Sequence, residues 1–213
     1  VLLIGGRTFL IFLFFHWLFL EEKHYGLIGE KFFHRQGIWF FAVVSILLAV
    51  FVFMANKANP NMAFGAVIGS TAFFITHGFK ENAERAEQQM LEGAEKMSDV
   101  SKILYLEVID ATFSVDGILG AFAFTFSIPL ILIGNGIGAL VVRQLTVSNI
   151  ENVKKYKYLK NGAMYSILAL GCIMVLHSFG YYVRDSVHPL LYFISHIPDW
   201  FSPAVTFIII GYF

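Results

Sequence analysis

Residues 106–125, LEVIDATFSVDGILGAFAFT, set Glu107, Asp110 and Asp116 in an otherwise apolar run long enough to cross a bilayer. An ionised carboxylate at mid-membrane costs about 2.5–3.5 kcal/mol on insertion scales, so three left unpaired would cost about 7–10 kcal/mol. That is comparable to the whole stability of a typical domain. Something must offset it: a bound cation, bound protons or a basic partner.

The rest of the chain has the composition of a membrane protein. It is 57% hydrophobic and only 14% charged, with a mean hydropathy of +0.69, whereas soluble domains run near 45–50% apolar and about 25% charged. Net charge is zero, which gives no broad basic face for nucleic acid. A single cysteine, Cys172, excludes an intrachain disulfide and a cysteine-based zinc cage.

Hydrophobic runs predict about seven membrane spans, at 2–20, 38–56, 62–79, 101–125, 128–147, 161–182 and 189–213, the last interrupted by Pro198, Asp199 and Pro203. The fold class is therefore an all-α polytopic membrane protein. Three parts follow: residues 1–79 with three spans and a polar loop at 21–37, a charged helical linker at 80–100, and a core at 101–213. Seven alternating spans bring twelve Lys and Arg of loop 21–37, segment 80–102 and segment 143–160 to one side. Lys57 and Arg184 fall on the other, with Arg7 near that end of the first span. The asymmetry makes the three loops cytoplasmic, and the expected location is the cell inner (plasma) membrane. Segment 80–99 carries six acids and an i,i+4 pair, Glu81–Arg85, and reads as a solvated helix continuing the third span.

On an ideal helix Glu107, Asp110 and Ser114 share a face, and Asp116 lies about half a turn away. Asp116 joins them only if the helix breaks. Thr112, Phe113, Ser114 and Val115 are poor helix formers, and Gly117 and Gly120 follow. Broken helices in transporters expose carbonyls and helix ends where ions bind, and hard oxygen ligands suit Mn²⁺, Mg²⁺ or Ca²⁺. The competing reading is protonation of the acids, because no Lys or Arg lies deep in another span by sequence. In span 128–147, Gly134 and Gly138 form a small-xxx-small pair around Asn135, which can offer an amide oxygen to a cation or hydrogen-bond another helix. His16, His77 and His177 read as interfacial histidines. No His-x-x-x-His or paired-Glu zinc signature appears, which argues against an intramembrane hydrolase and against an enzyme in general.

The blocks LYLEVIDATFSVDGILGAFAFT, GNGIGALVVRQLT and YLKNGAMYSILALGCIM, in that order, resemble the C-terminal half of the TerC-like integral membrane family, closest to its branch of uncharacterised bacterial proteins. GGRTFLIFLFFHWLFLEEKHYGLIGEK resembles that branch's central span and the loop after it. The resemblance implies kinship with the LysE-type superfamily of small-solute and cation exporters, with tellurite resistance and manganese export. It also implies two related halves packed in inverted orientation, each with an acidic motif. Glu107, Asp110 and Asp116 match the second-half motif, and Asn135 lies in the span that packs on it. The first-half motif, typically Ser-Phe-Asp-Asn-like, is nowhere in residues 1–105. The expectation is a first repeat preceding Val1 or supplied by a partner, including a homo-oligomer.

The sequence thus predicts a divalent-cation transporter, Mn²⁺ export foremost. Its metal ligands would be Glu107, Asp110, Asp116, Asn135 and Ser114, with no tightly bound cofactor and with the lipid bilayer and a divalent cation as partners. The alternative is a non-transporting membrane scaffold of a tellurite- or stress-resistance complex.

Overall fold

A computed structural model describes residues 1–27, 29–93, 98, 100, 103, 117–122, 125–153, 157–182 and 201–213. Among them the regular structure is entirely helical: α1 (Leu2–Leu20), α2 (Glu30–Arg35), a 3₁₀ turn (Gly37–Trp39), α3 (Phe40–Ala58), α4 (Pro60–Gly93), α5 (Ile128–Val153), α6 (Leu159–Tyr182) and α7 (Phe201–Tyr212). Four helical stretches are long and apolar enough to cross a membrane: Leu3–Leu20, Gly37–Ala58, Pro60–Asn82 and Leu159–Phe179. The protein is membrane-embedded.

The central helix is α1. Two thirds of its span (67%) is buried in the bundle, against 17% for the Gly37–Ala58 span. It packs on α4 and α6, with α2 and α3 at its flanks. Its aromatic side chains make the core: Phe9, Phe12, Phe14, Trp17 and Phe19 pack with Phe40 and Val44 of α3 and Phe73 of α4. Phe73 meets Phe9 and Phe12 edge-on, each at 5.7 Å between ring centroids, a geometry that the ring quadrupoles favour. By contrast α3 turns Ile46, Val50, Phe53 and Met54 outward, the surface a lipid-facing helix presents.

Small residues set how closely α1 and α4 approach. A Cβ on Gly69 would collide with the Gly5 backbone, and one on Gly65 with the Val1 backbone. Helices meeting backbone to backbone gain dispersion contacts that the bilayer's apolar tails do not offset. Between α3 and α4 the chain turns at Asn59, in extended backbone. Asn59 Oδ1 accepts the Asn61 N–H at 2.9 Å, and Pro60 opens α4, where its missing N–H is not needed.

The expected spans at 2–20, 38–56, 62–79, 128–147 and 161–182 correspond to α1, α3, α4, α5 and α6. The expected continuation past residue 80 is present: α4 runs unbroken to Gly93, with the Glu81–Arg85 pair at 3.6 Å. Most of 101–125, and all of 183–200, lie outside the described residues. α7 is a 12-residue helix within the expected 189–213 span.

Candidate functional site at the polar end of the bundle

α1, α4 and α6 bring their polar ends together. His16 is on the last full turn of α1, and Glu21 caps that helix. His77, Lys80 and Glu81 lie on α4, and Lys160 is the second residue of α6. With Leu20 and Glu22 they line a cavity of about 530 Å³. The imidazoles of His16 and His77 face each other with centroids 4.0 Å apart. His16 Nδ1 lies 3.8 Å from Glu21 Oε1, and His77 Nε2 lies 3.6 Å from Glu81 Oε1. Lys160 donates to Glu21 Oε2, and Lys80 Nζ approaches Glu21 Oε1 at 3.9 Å. Burial by itself would push the Glu21 carboxyl up. The hydrogen bond and charge of Lys160, with Lys80 and His16 behind it, outweigh that and hold it below the usual carboxylate value.

The loop after α1 is pinned from both sides. Lys23 Nζ donates to the carbonyls of Trp17 at 2.8 Å and Leu18 at 2.7 Å, capping α1 where its carbonyls lack helical partners. It also lies 3.9 Å above the Trp17 ring. Burial lowers the Lys23 ammonium to about 8, despite the opposing charges of Glu30 and Glu21. Seven residues on, the Glu30 side chain is buried (2% exposed) at the start of α2. Its carboxylate accepts hydrogen bonds from the Gly26 N–H at 2.8 Å, Asn161 Nδ2 at 3.1 Å and the Tyr165 hydroxyl at 3.0 Å. Asn161 also donates to the His24 carbonyl at 2.8 Å. The network ties the 21–30 loop to α6 beside the cavity. Gly29, at φ 121°, supplies the left-handed turn that delivers Glu30 inward, a conformation only glycine adopts cheaply.

Arg7, near one end of the first span, is half-buried. Its Nη1 donates to the Met174 carbonyl at 3.0 Å and to Ser178 Oγ, both on α6. The guanidinium therefore turns into the α1–α6 interface.

Four of the five predicted ligands, Glu107, Asp110, Ser114 and Asp116, lie outside the described residues. The fifth, Asn135, sits exposed on α5, and added Cβ atoms on Gly134 and Gly138 would meet nothing within 4 Å. The described end of the acidic span does reach the core. Residues 117–121 are helical, Gly120 is buried, and its Cβ position is 3.3 Å from Leu10 Cδ2 of α1. Leu119 and Phe122 close a small apolar pocket with Gly5, Phe9 and Gly69. Among the described residues, no group of three or more His, Cys, Asp or Glu stands arranged to hold a metal ion.

The histidine pair and the Glu30 network are what sequence reasoning missed. His16 and His77 do share a signal, each lying near the polar end of its own span. Nothing local marks that the two helices cross side by side.

A family model described as "Protein of unknown function (DUF475)" matches residues 3–198. No curated protein and no solved structure matches the chain.

Proposed function

We propose that this chain, which belongs to the DUF475 family, is a membrane transporter for a divalent metal cation, Mn²⁺ export being the specific reading. The observation that carries it is the acidic span itself. Glu107, Asp110 and Asp116 lie within an apolar run whose described end, around Gly120, packs against the buried helix α1. Ionisable groups kept inside membrane segments face bundle interiors or cavities and mark ion and proton paths. The TerC-like resemblance supports the same assignment.

In this reading the three carboxylates are oxygen ligands or proton-coupled carriers. Ser114 and Asn135 add neutral oxygens, and Asp116 joins the face of Glu107 on the condition that the helix breaks between them, which the poor helix formers Thr112, Phe113, Ser114 and Val115 favour. Oxygen donors favour Mn²⁺, Mg²⁺ and Ca²⁺ over thiophilic metals. The loops at 21–37, 80–100 and 148–160 are cytoplasmic in an inner-membrane topology.

Asp110→Asn and Asp116→Asn test this. Each should abolish Mn²⁺ uptake into inverted vesicles while the protein stays in the membrane. Full uptake by both variants overturns the reading.

The unbroken run of α4 to Gly93 favours a second reading, in which that extension is the docking arm of a scaffold. Removing residues 83–93 separates the two, since a transporter keeps flux and a scaffold loses its role.

A further inference from the structure

The first crossing ends at Leu20 and the next begins at Gly37, so α2 and the 3₁₀ turn lie where headgroups meet hydrocarbon. Two anchors fix how α2 is rotated. Glu30 is held inward by Gly26, Asn161 and Tyr165, and Phe33 meets Phe19 of α1 edge-on at 5.5 Å. At about 100° per residue, Phe32 then points about 200° round from Glu30, away from the bundle, while Lys31 and Arg35 fall within about 40° of each other on one flank. All three are exposed. Ile38 and Trp39, in the first turn of the crossing, are 93% and 60% exposed. Glu30 is the one acid of residues 29–39, and it is turned inward, so the charge this segment shows outward is positive.

We propose that α2 and the 3₁₀ turn form a docking surface for anionic lipid headgroups, with Lys31 and Arg35 on the phosphate and Phe32, Ile38 and Trp39 among the upper acyl carbons. Large apolar side chains left this bare mark an interaction surface. Aromatic residues on one flank and Lys and Arg on the other are the pattern of a helix lying in the membrane interface, and tryptophan favours the headgroup level. Charge complementarity selects the lipid: two cations one turn apart, with the neighbouring carboxylate withdrawn, suit a phosphate that carries net negative charge and gain little from a zwitterionic headgroup. A protein partner would have to cover Ile38 inside the first turn of a membrane crossing, where lipid already stands. Lipid selection here goes beyond the transport reading and holds equally for a scaffold.

The test reconstitutes the full chain into phosphatidylcholine bilayers holding a fixed share of either brominated phosphatidylglycerol or brominated phosphatidylcholine. Quenching at Trp39 is the signal that Trp39→Phe loses. Bromine sits on the acyl chains, so free phosphate contributes nothing. The unaltered chain should be quenched more by the anionic lipid than by the zwitterionic one. Lys31→Gln and Arg35→Gln should each cut that preference severalfold, up to about fivefold, the factor that corresponds to about 1 kcal/mol for a basic residue near an anionic surface. Both side chains are exposed, so neither variant disturbs the Glu30 network. Raising salt from about 0.01 M to about 1 M shortens the Debye length from about 30 Å to about 3 Å. That should largely remove the preference in the unaltered chain, a measurement that needs no variant. Lys57→Gln, at the opposite end of α3, should leave the preference within about twofold. Equal quenching by the two lipids, or an unchanged preference in both variants, overturns the headgroup site. Quenching by neither lipid overturns the membrane seating and leaves the patch to a protein partner. No flux enters these measurements, so failure of the transport reading leaves every result interpretable.

Discussion

Glu30 and Asn161, 131 positions apart in the chain, meet inside the protein with Asn161 Nδ2 3.1 Å from Glu30 Oε2. Both side chains are almost completely buried, so each is the other's substitute for water. Removing one partner leaves the other desolvated. Asn161→Ala should therefore lower stability by about 1–3 kcal/mol, and Tyr165→Phe, which removes one of the donors to the same carboxylate, by about 1 kcal/mol. Thermal unfolding in detergent should register about 2–4 °C per kcal/mol for a chain of this size. Unchanged melting in both variants would show that the network does not hold the loop to α6.

The α1–α4 crossing makes a contrast between two glycines of one helix. Gly69→Ala places a methyl against the Gly5 backbone and should cost about 1–3 kcal/mol by overpacking. An added Cβ on Gly78 meets nothing within 4 Å. Gly78→Ala should be neutral, or stabilising by up to about 1 kcal/mol, because alanine loses less backbone entropy in a helix. Paired melting curves check both, and equal effects would contradict the close approach.

Lys23 and Glu21 predict opposite ends of a pH profile. Burial holds the folded Lys23 ammonium at about 8, below its ordinary value. Between about pH 8 and that ordinary value the unfolded chain binds more protons than the folded one, so stability rises with pH across the window, and below pH 8 the full penalty applies. Trp17, under the Lys23 ammonium, should report the titration as a fluorescence change with a midpoint about pH 8, and Lys23→Met should abolish it. Glu21 is held below the usual carboxylate range. It stabilises the fold above that range, and the stabilisation is lost as pH falls through its lowered folded value. Melting of Glu21→Gln should be flatter than wild type in acid, and parallel acid profiles would refute the assignment.

Arg7 tests whether a half-buried guanidinium clamps α1 to α6. Arg7→Met keeps an unbranched apolar stem and removes the donors to the Met174 carbonyl and Ser178 Oγ. It should cost about 1.5–3 kcal/mol, the range for hydrogen bonds from charged groups. Both bonds leave the one Nη1 nitrogen, and Arg7→Lys should recover only part, since the shorter lysine stem does not carry its nitrogen as far as Nη1. Full recovery by lysine would show that only charge matters.

Elements that announce themselves locally are legible in the sequence. Runs of about twenty apolar residues mark α1, α3, α4, α5 and α6 within a few positions, because a bilayer demands that length. Asn59-Pro60 marks the turn, and the helix formers after Lys80 mark the extension. Glu30 was not readable. It lies in a polar loop, where a glutamate is ordinarily solvated, and only the fold of 21–30 onto α6 buries it. The His16–His77 contact depends on how two helices cross, which glycines as far away as Gly5 and Gly69 determine. Arg7 looked like an end-of-span residue because its position along the helix says nothing about which neighbour it turns toward. For the acidic block, composition identified the carboxylates, while their joint geometry rests on residues outside those described.

One consequence follows from the length of α4. Its 34 residues span about 51 Å, well beyond the ~30 Å of a bilayer's hydrocarbon. Gly69, pressed on Gly5, lies about 36 Å from the tip at Gly93. A rod held at such a fulcrum is a lever: tilting it by about 10° swings the far tip by about 6 Å on that geometry. A shift small enough to keep the glycine crossing intact is thus amplified into a displacement as long as a side chain, which any partner gripping the far end would feel, and could in turn impose on the membrane core.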